Sequence, residues 1–264
     1  MSVLSEDTKT QSRKALKSLI SHERNEKGDL KQTIYLIINT DKPLAKQTDH
    51  VPRIIPIPNR ISKSTDNSIL LVTKDPSTPY REPLTCKNSP TEDLFNEIMP
   101  LKKLRIISKS KKSLKKLYHE YDLIVCDHRI HHLLPSVLGE QFFKGHKKVP
   151  YMLQMSKPDP SAQPVKKQDR VETCDAKYVR DQIRSICKNT SFIPNKDTTI
   201  SIKIGWTDTE DIDKLITNIF AVVEFLKNPK FQPIGGLLKY NNQIKGMFVK
   251  TNESISLPIY KRED

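Results

Sequence analysis

Near the start of the chain, apolar residues recur at helical spacing. Ala15, Leu16, Leu19 and Ile20 form one stripe, with Lys and Arg on the other side. The stripe predicts a helix from about residue 6 to residue 23, with Gly28 as its stop. The period then changes. "TIYLIIN", residues 33–39, is short and rich in β-branched residues, the pattern of a buried strand. "VPRIIPIP" is a second extended segment, and Pro52, Pro56 and Pro58 assign it to a sheet edge. The polar stretch "NRISKSTDNS" reads as a linker. Beyond it, strand-like runs recur at "ILLVT", "KLRIIS", "YDLIVCD" and "VPYMLQM". Helical patterns lie between them, at "TEDLFNEIM", at "KSKKSLKKLYHEY" and in the residues after Asp127. Such alternation predicts a parallel sheet covered by helices.

A second break follows at "SKPDPSAQPVKKQD", where Pro158, Pro160 and Pro164 cluster. After it, "AKYVRDQIRSICKN" reads as a helix and "TTISIKIGW" as a strand. "TDTEDIDKLITNIFAVVEFLK" is the strongest helix pattern, with Thr207 and Glu210 as a capping box and Ile212, Leu215, Ile216, Ile219, Phe220 and Val223 as its buried face. "IKGMFVKT" and "ISLPIY" are further extended segments. The strands outside the two linkers need partners, and the simplest arrangement pairs them with each other. This predicts a discontinuous α/β domain from residues 1–64 and 157–264, with a second domain, 65–156, inserted in it.

Composition narrows the function. The chain has 264 residues, 36% hydrophobic and 29% charged, so it carries enough apolar surface to fold. A formal net charge of +14 favours a polyanionic partner, nucleic acid before an anionic membrane surface, with a merely solvated basic surface as the plain alternative. "MSVLSEDTKTQSRK" has no apolar run of the signal-peptide kind, and "IFAVV" is far too short to span a bilayer. Cys86, Cys126, Cys174 and Cys187 are scattered with no C-x-x-C pair, which suits packed thiols in a reducing compartment. Glycine is scarce, at seven, and no G-x-G-x-x-G or P-loop pattern occurs. A nucleotide-dependent enzyme therefore lacks the usual phosphate-binding turn: the residues after "ILLVT" are "KDPSTPYREP", without glycine.

"CDHRIHH" places one Cys, one Asp and three His within seven residues. A structural zinc site takes four ligands, usually as two spaced pairs, and no second pair follows. His128, His131 and His132 are therefore expected to be structural and Cys126 to be packed core. Asp127 is expected to cap the helix that follows. In "KSKKSLKKL", Lys109, Lys112 and Lys116 fall near one another at helical spacing. They suit phosphate contacts or a nuclear-localisation element, and equally a solvated helix face. "KGHKKVP" is a second, equally unspecific basic cluster.

"YDLIVCDHRIHHLLPSVLGEQFFKGHKKVPYMLQM" resembles the ribosomal protein L1 family in its archaeal and eukaryotic form: a Tyr-Asp strand, a helix running into leucines and a proline, a Leu-Gly pair, then a basic stretch before a strand. "ISIKIGWTDTEDIDKLITNIFAVVEFL" is similar to the family's late strand, glycine turn and helix. "FVKTNESISLPIY" is similar to the ending of the nucleolar, ribosome-biogenesis branch, the type found in the small-subunit processome. The resemblance implies an α/β, two-domain L1-like fold, a split α/β domain carrying an inserted Rossmann-like three-layer αβα domain. It also implies a monomeric, nucleolar, non-enzymatic factor without cofactor. Its partners would be precursor ribosomal RNA and other pre-ribosome assembly proteins. The alternatives are a large-subunit ribosomal protein of this type and a metal- or nucleotide-dependent enzyme.

Carried over residue by residue, the family's RNA contacts fall on Thr33, Ser201, Lys203, Gly205 and Lys250, and on Thr251, Asn252 and Ser254 of the "KTNES" loop. Ribosomal members carry a small-Met-Gly turn in that loop, which lets backbone approach RNA. This chain instead reads Asn252-Glu253-Ser254, with a carboxylate in that position.

Overall fold

The computed structural model describes residues 4–28, 31–47, 49–144, 148–158, 172–209, 211–238 and 243–262. In chain order these form α1 (Glu6–Lys27), β1 (Thr33–Thr40), β2 (Arg53–Ile55), β3 (Ile69–Thr73), α2 (Thr78–Thr85), β4 (Glu97–Pro100), α3 (Leu101–Ser108) and α4 (Lys111–Glu120). Then follow β5 (Leu123–Asp127), α5 (Leu134–Leu138), α6 (Glu140–Phe143), β6 (Tyr151–Leu153), α7 (Ala176–Lys188), β7 (Thr190–Phe192), β8 (Thr199–Trp206), α8 (Ile212–Lys227), β9 (Ile244–Lys250) and β10 (Leu257–Lys261). The protein has a mixed α/β fold. Contacts divide it into a terminal unit, residues 1–49, 53–61 and 186–264, and a middle unit, residues 50–52 and 62–185. The second division falls within α7, after Ser185. Most of that helix, expected with the terminal domain, therefore belongs to the middle unit: Asp175 N–H donates to Met155 O (2.8 Å) and the Gln182 side-chain amide to Gln154 O (2.8 Å). Among the described residues, no helix is long and apolar enough to cross a membrane.

In the terminal unit, β10-β9-β1-β8 form one antiparallel sheet, and β2 and β7 form a second, two-stranded one. Strict alternation drives the packing. Ile34, Leu36 and Ile38 of β1 are fully buried, as are Ile202 and Ile204 of β8 and Val249 of β9. They meet Leu16 and Leu19 of α1 and Leu215, Ile216, Ile219 and Val223 of α8 in a single core. The Ser5 hydroxyl starts α1 by accepting from Thr8 N–H. The apolar stripe runs to about residue 23, and the helix continues to the expected stop at Gly28, whose φ of +66° favours glycine. At the start of α8, the expected capping box is replaced. Asp211 is the N-cap, accepting from Asp213 N–H, while the Thr207 hydroxyl accepts from Gln32 N–H (2.9 Å). Glu210 lies outside the described residues.

Asn218 is the polar member of the α8 core face. Its amide donates to the Asn59 and Ile204 carbonyls (both 3.0 Å), and its side-chain oxygen accepts from Asn59 N–H (3.1 Å). It thereby satisfies backbone groups that the sheet leaves over.

In the middle unit, β4-β3-β5-β6 form a parallel sheet. β3 is buried along its whole length, as its apolar run "ILLVT" predicts for a central parallel strand. Two segments exchange their expected states. "EIMP" is the strand β4, and "LKKLRIIS" is the helix α3. Ile106 and Ile107 gave the latter a strand-like composition. In α3, however, Leu101 and Leu104 are buried three residues apart, whereas Ile106 is exposed. The expected helix at "TEDLFN" is a run of turns.

β5 ends on the fully buried Asp127. It does not cap a helix. It caps a turn, accepting from Arg129 N–H (3.0 Å), and its carboxylate takes the Arg129 guanidinium, Nε lying 3.0 Å from both oxygens. Arg129 also reaches Glu172, on which Lys74 Nζ (2.6 Å) and the Tyr80 hydroxyl converge. Burial works against the Glu172 charge, but the hydrogen bonds from Lys74, Tyr80 and Arg129 overcome it and pull the carboxyl down to about 2.

Two predictions follow from this packing. Asn218→Leu keeps the volume but strands three backbone groups, and should lower stability by about 1–3 kcal/mol in a urea titration. The folded-state value of Glu172 lies below its ordinary value of 4.5. Its contribution is therefore present above that pH and lost as pH falls toward about 2. Hydrogen-exchange protection of the β3 and β5 amides should exceed that of Glu172→Gln by about 2 kcal/mol at neutral pH, with the gap closing in acid. A gap independent of pH would contradict the assignment.

Candidate nucleic-acid interface

The register of β1 with its two neighbours sets side chains in rows across the face turned away from the helices. Tyr35 pairs with Lys203 on one side and Lys250 on the other. Ile37 pairs with Ser201 and Phe248, and Asn39 with Thr199 and Gly246, the Thr199 hydroxyl lying 3.0 Å from Asn39 Oδ1. None of these side chains belongs to the buried core; Ser201 is exposed, and Tyr35, Ile37, Lys203, Phe248 and Lys250 are half-buried. A bulge at Ile34/Tyr35 restarts the register so that Thr33 faces Trp206. The Trp206 indole N–H donates to Ile61 O (2.9 Å), which fixes the ring, and Lys203 Nζ and Lys31 Nζ lie 3.6 and 4.7 Å from its centre. Flat aromatic faces flanked by lysines and hydroxyls suit stacked bases, phosphates and ribose.

Of the residues expected to contact RNA, Thr33, Ser201, Lys203 and Lys250 share this face. Gly205 is buried, and its role is packing: a Cβ there would come within 2.3 Å of Leu215 Cδ2. Thr251 is fully buried. Its hydroxyl donates to the buried Glu23 carboxylate on α1 (2.9 Å), and Ser254 N–H donates back to that hydroxyl (3.2 Å). Thr251 N–H in turn donates to the Ser254 hydroxyl (2.8 Å). Thr251 and Ser254 thus shape the loop from within, and Asn252 and Glu253 are its exposed residues. Lys109, Lys112 and Lys116 are exposed in the middle unit, Lys109 ending α3 and the other two on α4.

Tyr35, Phe248, Trp206 and Lys31 were not singled out in the sequence. The signal is present: alternation places Tyr35 opposite Leu36, and the strand, expected to be buried, is buried on one face and half-buried on the other.

The histidines of "CDHRIHH" separate. His128 and His132 are exposed; His131 is buried, its Nε2 lying 3.3 Å from Pro150 O. Among the described residues, no three His, Cys, Asp or Glu side chains gather as metal ligands. His146 is outside the described residues.

Residues 16–255 match the model of the Ribosomal protein L1p/L10e family, and the chain belongs to that family. It is 46% identical over 250 residues to the Saccharomyces cerevisiae ribosome biogenesis protein UTP30, covering 94% of this chain and 88% of that protein. A putative ribosome biogenesis protein of Schizosaccharomyces pombe is 24% identical over 248 residues, covering 94% of this chain and 77% of the relative. The mouse ribosomal L1 domain-containing protein 1 is 27% identical over 214 residues, which span 78% of this chain and 40% of that longer protein.

The loop geometry gives a direct test. Thr251→Val leaves a buried carboxylate without its hydroxyl partner and should cost about 1–3 kcal/mol. Thermal unfolding reads the loss. Exchange of the Ser254 amide should quicken by more than the global loss explains, because that amide's acceptor is gone.

Proposed function

We propose that this chain is a non-enzymatic, RNA-binding ribosome-assembly factor. It acts on precursor ribosomal RNA in early pre-ribosomal particles, as a monomer in the nucleolus, beside other assembly proteins. The terminal and middle units are its two domains, and the terminal one holds the RNA. Family membership supports the reading, as does similarity to ribosome biogenesis proteins of two yeasts, one of them putative. The observation that carries it is the outward sheet face, where Tyr35 lies between Lys203 and Lys250 in one row and Trp206 sits beneath two lysines. The exposed Asn252-Glu253 tip favours an assembly factor over a ribosomal protein. A carboxylate repels phosphate at close range, and that weakens a contact a permanent RNA-bound subunit would need.

Filter binding to precursor ribosomal RNA transcripts, at several salt concentrations, tests this. Lys203→Ala and Lys250→Ala should each weaken binding and flatten the salt dependence by about one unit of slope or less. Tyr35→Ala and Phe248→Ala should each cost about 1–3 kcal/mol and leave the slope unchanged, since stacking releases no counterions. If these variants bind as the parent does while Lys112→Ala/Lys116→Ala loses binding, the RNA surface is α4 instead.

A further inference from the structure

In the middle unit, three donors converge on one carboxylate of the protein itself. In the parallel sheet β4-β3-β5-β6, the chain leaves β3 to one side for β4 and returns to the other side for β5 and β6. The strand order therefore reverses between β3 and β5, and ligands of open parallel sheets bind beyond the carboxyl ends of the strands at such a point. Lys74 directly follows β3, and Asp127 ends β5.

Three donors from three elements meet there. Lys74 Nζ holds one oxygen of Glu172 at 2.6 Å; the Tyr80 hydroxyl from α2 and the Arg129 guanidinium from the turn after β5 hold the other. Two of the three donors are themselves fixed, while Lys74 is exposed. Asp127, fully buried, grips Arg129 through both carboxylate oxygens; Tyr80 is 1% exposed, and the guanidinium lies 5.4 Å from its ring centre. At the same strand end, the hydroxyl of fully buried Thr73 has no hydrogen-bond partner among the described residues. Without Glu172, two cations would face one carboxylate and a phenol, leaving a net positive pocket. A structural tether needs one good partner for its carboxylate. Three convergent donors at a switch point, two of them held in place by buried groups, suit an oxyanion.

We propose that Lys74, Tyr80 and Arg129 form a phosphate-binding cradle in the middle unit, and that Glu172 is its intramolecular, exchangeable occupant. The cradle takes a phosphate group: the donors are aimed at oxygens, and phosphate offers three or more where the carboxylate offers two. It is built from side chains because this turn, "KDPSTPYREP", holds no glycine to bring backbone amides to a phosphate. Two sources carry that chemistry, free inorganic phosphate and the terminal phosphate of an RNA strand. The cradle lies outside the sheet face assigned to RNA above, so either assignment stands or falls without the other.

Calorimetric titration of the full chain with inorganic phosphate tests the proposal. Glu172→Ala removes the occupant and should bind one phosphate per chain about tenfold or more tighter than the parent, because the binding-competent fraction rises. Adding Lys74→Met or Tyr80→Phe should return binding to the parent level. If Glu172→Ala is poorly folded, Glu172→Gln, which keeps the side-chain volume, carries the same titration. A folded variant with no saturable phosphate binding overturns the proposal and makes Glu172 a tether. The source is read by comparing 5′-phosphorylated and 5′-hydroxyl forms of one oligoribonucleotide on Glu172→Ala. A gain from the phosphate beyond that for the free ion assigns RNA ends. No gain, with inorganic phosphate bound, assigns the free ion.

Discussion

The terminal unit depends on β1 being paired along both edges by strands from the far end of the chain. Thr33 to Asn39 meet β8 on one side, and Tyr35 to Thr40 meet β9 on the other. No nearby strand completes the sheet, so its closure must wait for the last third of the chain, with the loop-entropy cost that distant pairing carries. The same register decides both faces at once. It sends Ile34, Leu36 and Ile38 to α1 and α8, and it lines up Tyr35 with Lys203 and Lys250 on the other side. A slip by one residue would bury the lysine row and expose the isoleucines, so the interface is as firmly specified as the core.

The terminal unit was largely legible because its signals are periodic and redundant. Four apolar positions fix α1, strict alternation fixes β8, and the α8 stripe recurs over four turns. The prolines of "VPRIIPIP" correctly confined β2 to a small two-stranded sheet. In the middle unit, short elements carry few positions each. "EIMP" holds two buried residues and "LKKLRIIS" two, too few to separate a period of two from one of 3.6. The β-branched pair Ile106-Ile107 then tipped the reading toward strand, although packing on Leu101 and Leu104 decided for helix. Capping was misread for a related reason. Thr207 has a local capping role available, but a tertiary partner, Gln32, takes its hydroxyl, and Asp127 spends its carboxylate on the nearby Arg129 instead of a helix N-terminus.

Of the expected contacts, the side chains on strands share the outward face, whereas Thr251 of the loop is turned inward. Side-chain direction in a strand follows from parity, so Ser201 and Lys203 share a face by necessity. Direction in a loop follows from hydrogen bonds that no spacing reveals. Thr251 looked like a contact residue because its hydroxyl is polar and adjoins the turn. It is buried because Glu23, more than two hundred residues earlier, needs a donor. Loss of the Met-Gly turn thus has a second side: a loop pinned by Glu23, Thr251 and Ser254 holds its shape without glycine, at the expense of close backbone approach.

Glycine scarcity ties the two proposed anion sites together. Backbone amides bind phosphate where no Cβ intervenes, and the glycines beside the sheet face serve packing: a Cβ on Gly205 would strike Leu215, and one on Gly246 would crowd Phe248. Anion recognition in this chain therefore falls to side chains. On the sheet face these are half-buried lysines set among rings, which suits a long polyanion gripped at many points. In the middle unit they are an arginine fixed by a buried carboxylate, a buried phenol and one lysine, which suits a single oxyanion held in one geometry. The first arrangement tolerates sequence and loses strength with ionic strength. The second sets a buried phenol and a guanidinium gripped by a buried carboxylate around one point, and is selective for the number and placement of oxygens. That difference is why Glu172, a carboxylate already tethered to the chain, fits the cradle well enough to keep it closed, and why only a ligand with more oxygens or more charge would displace it.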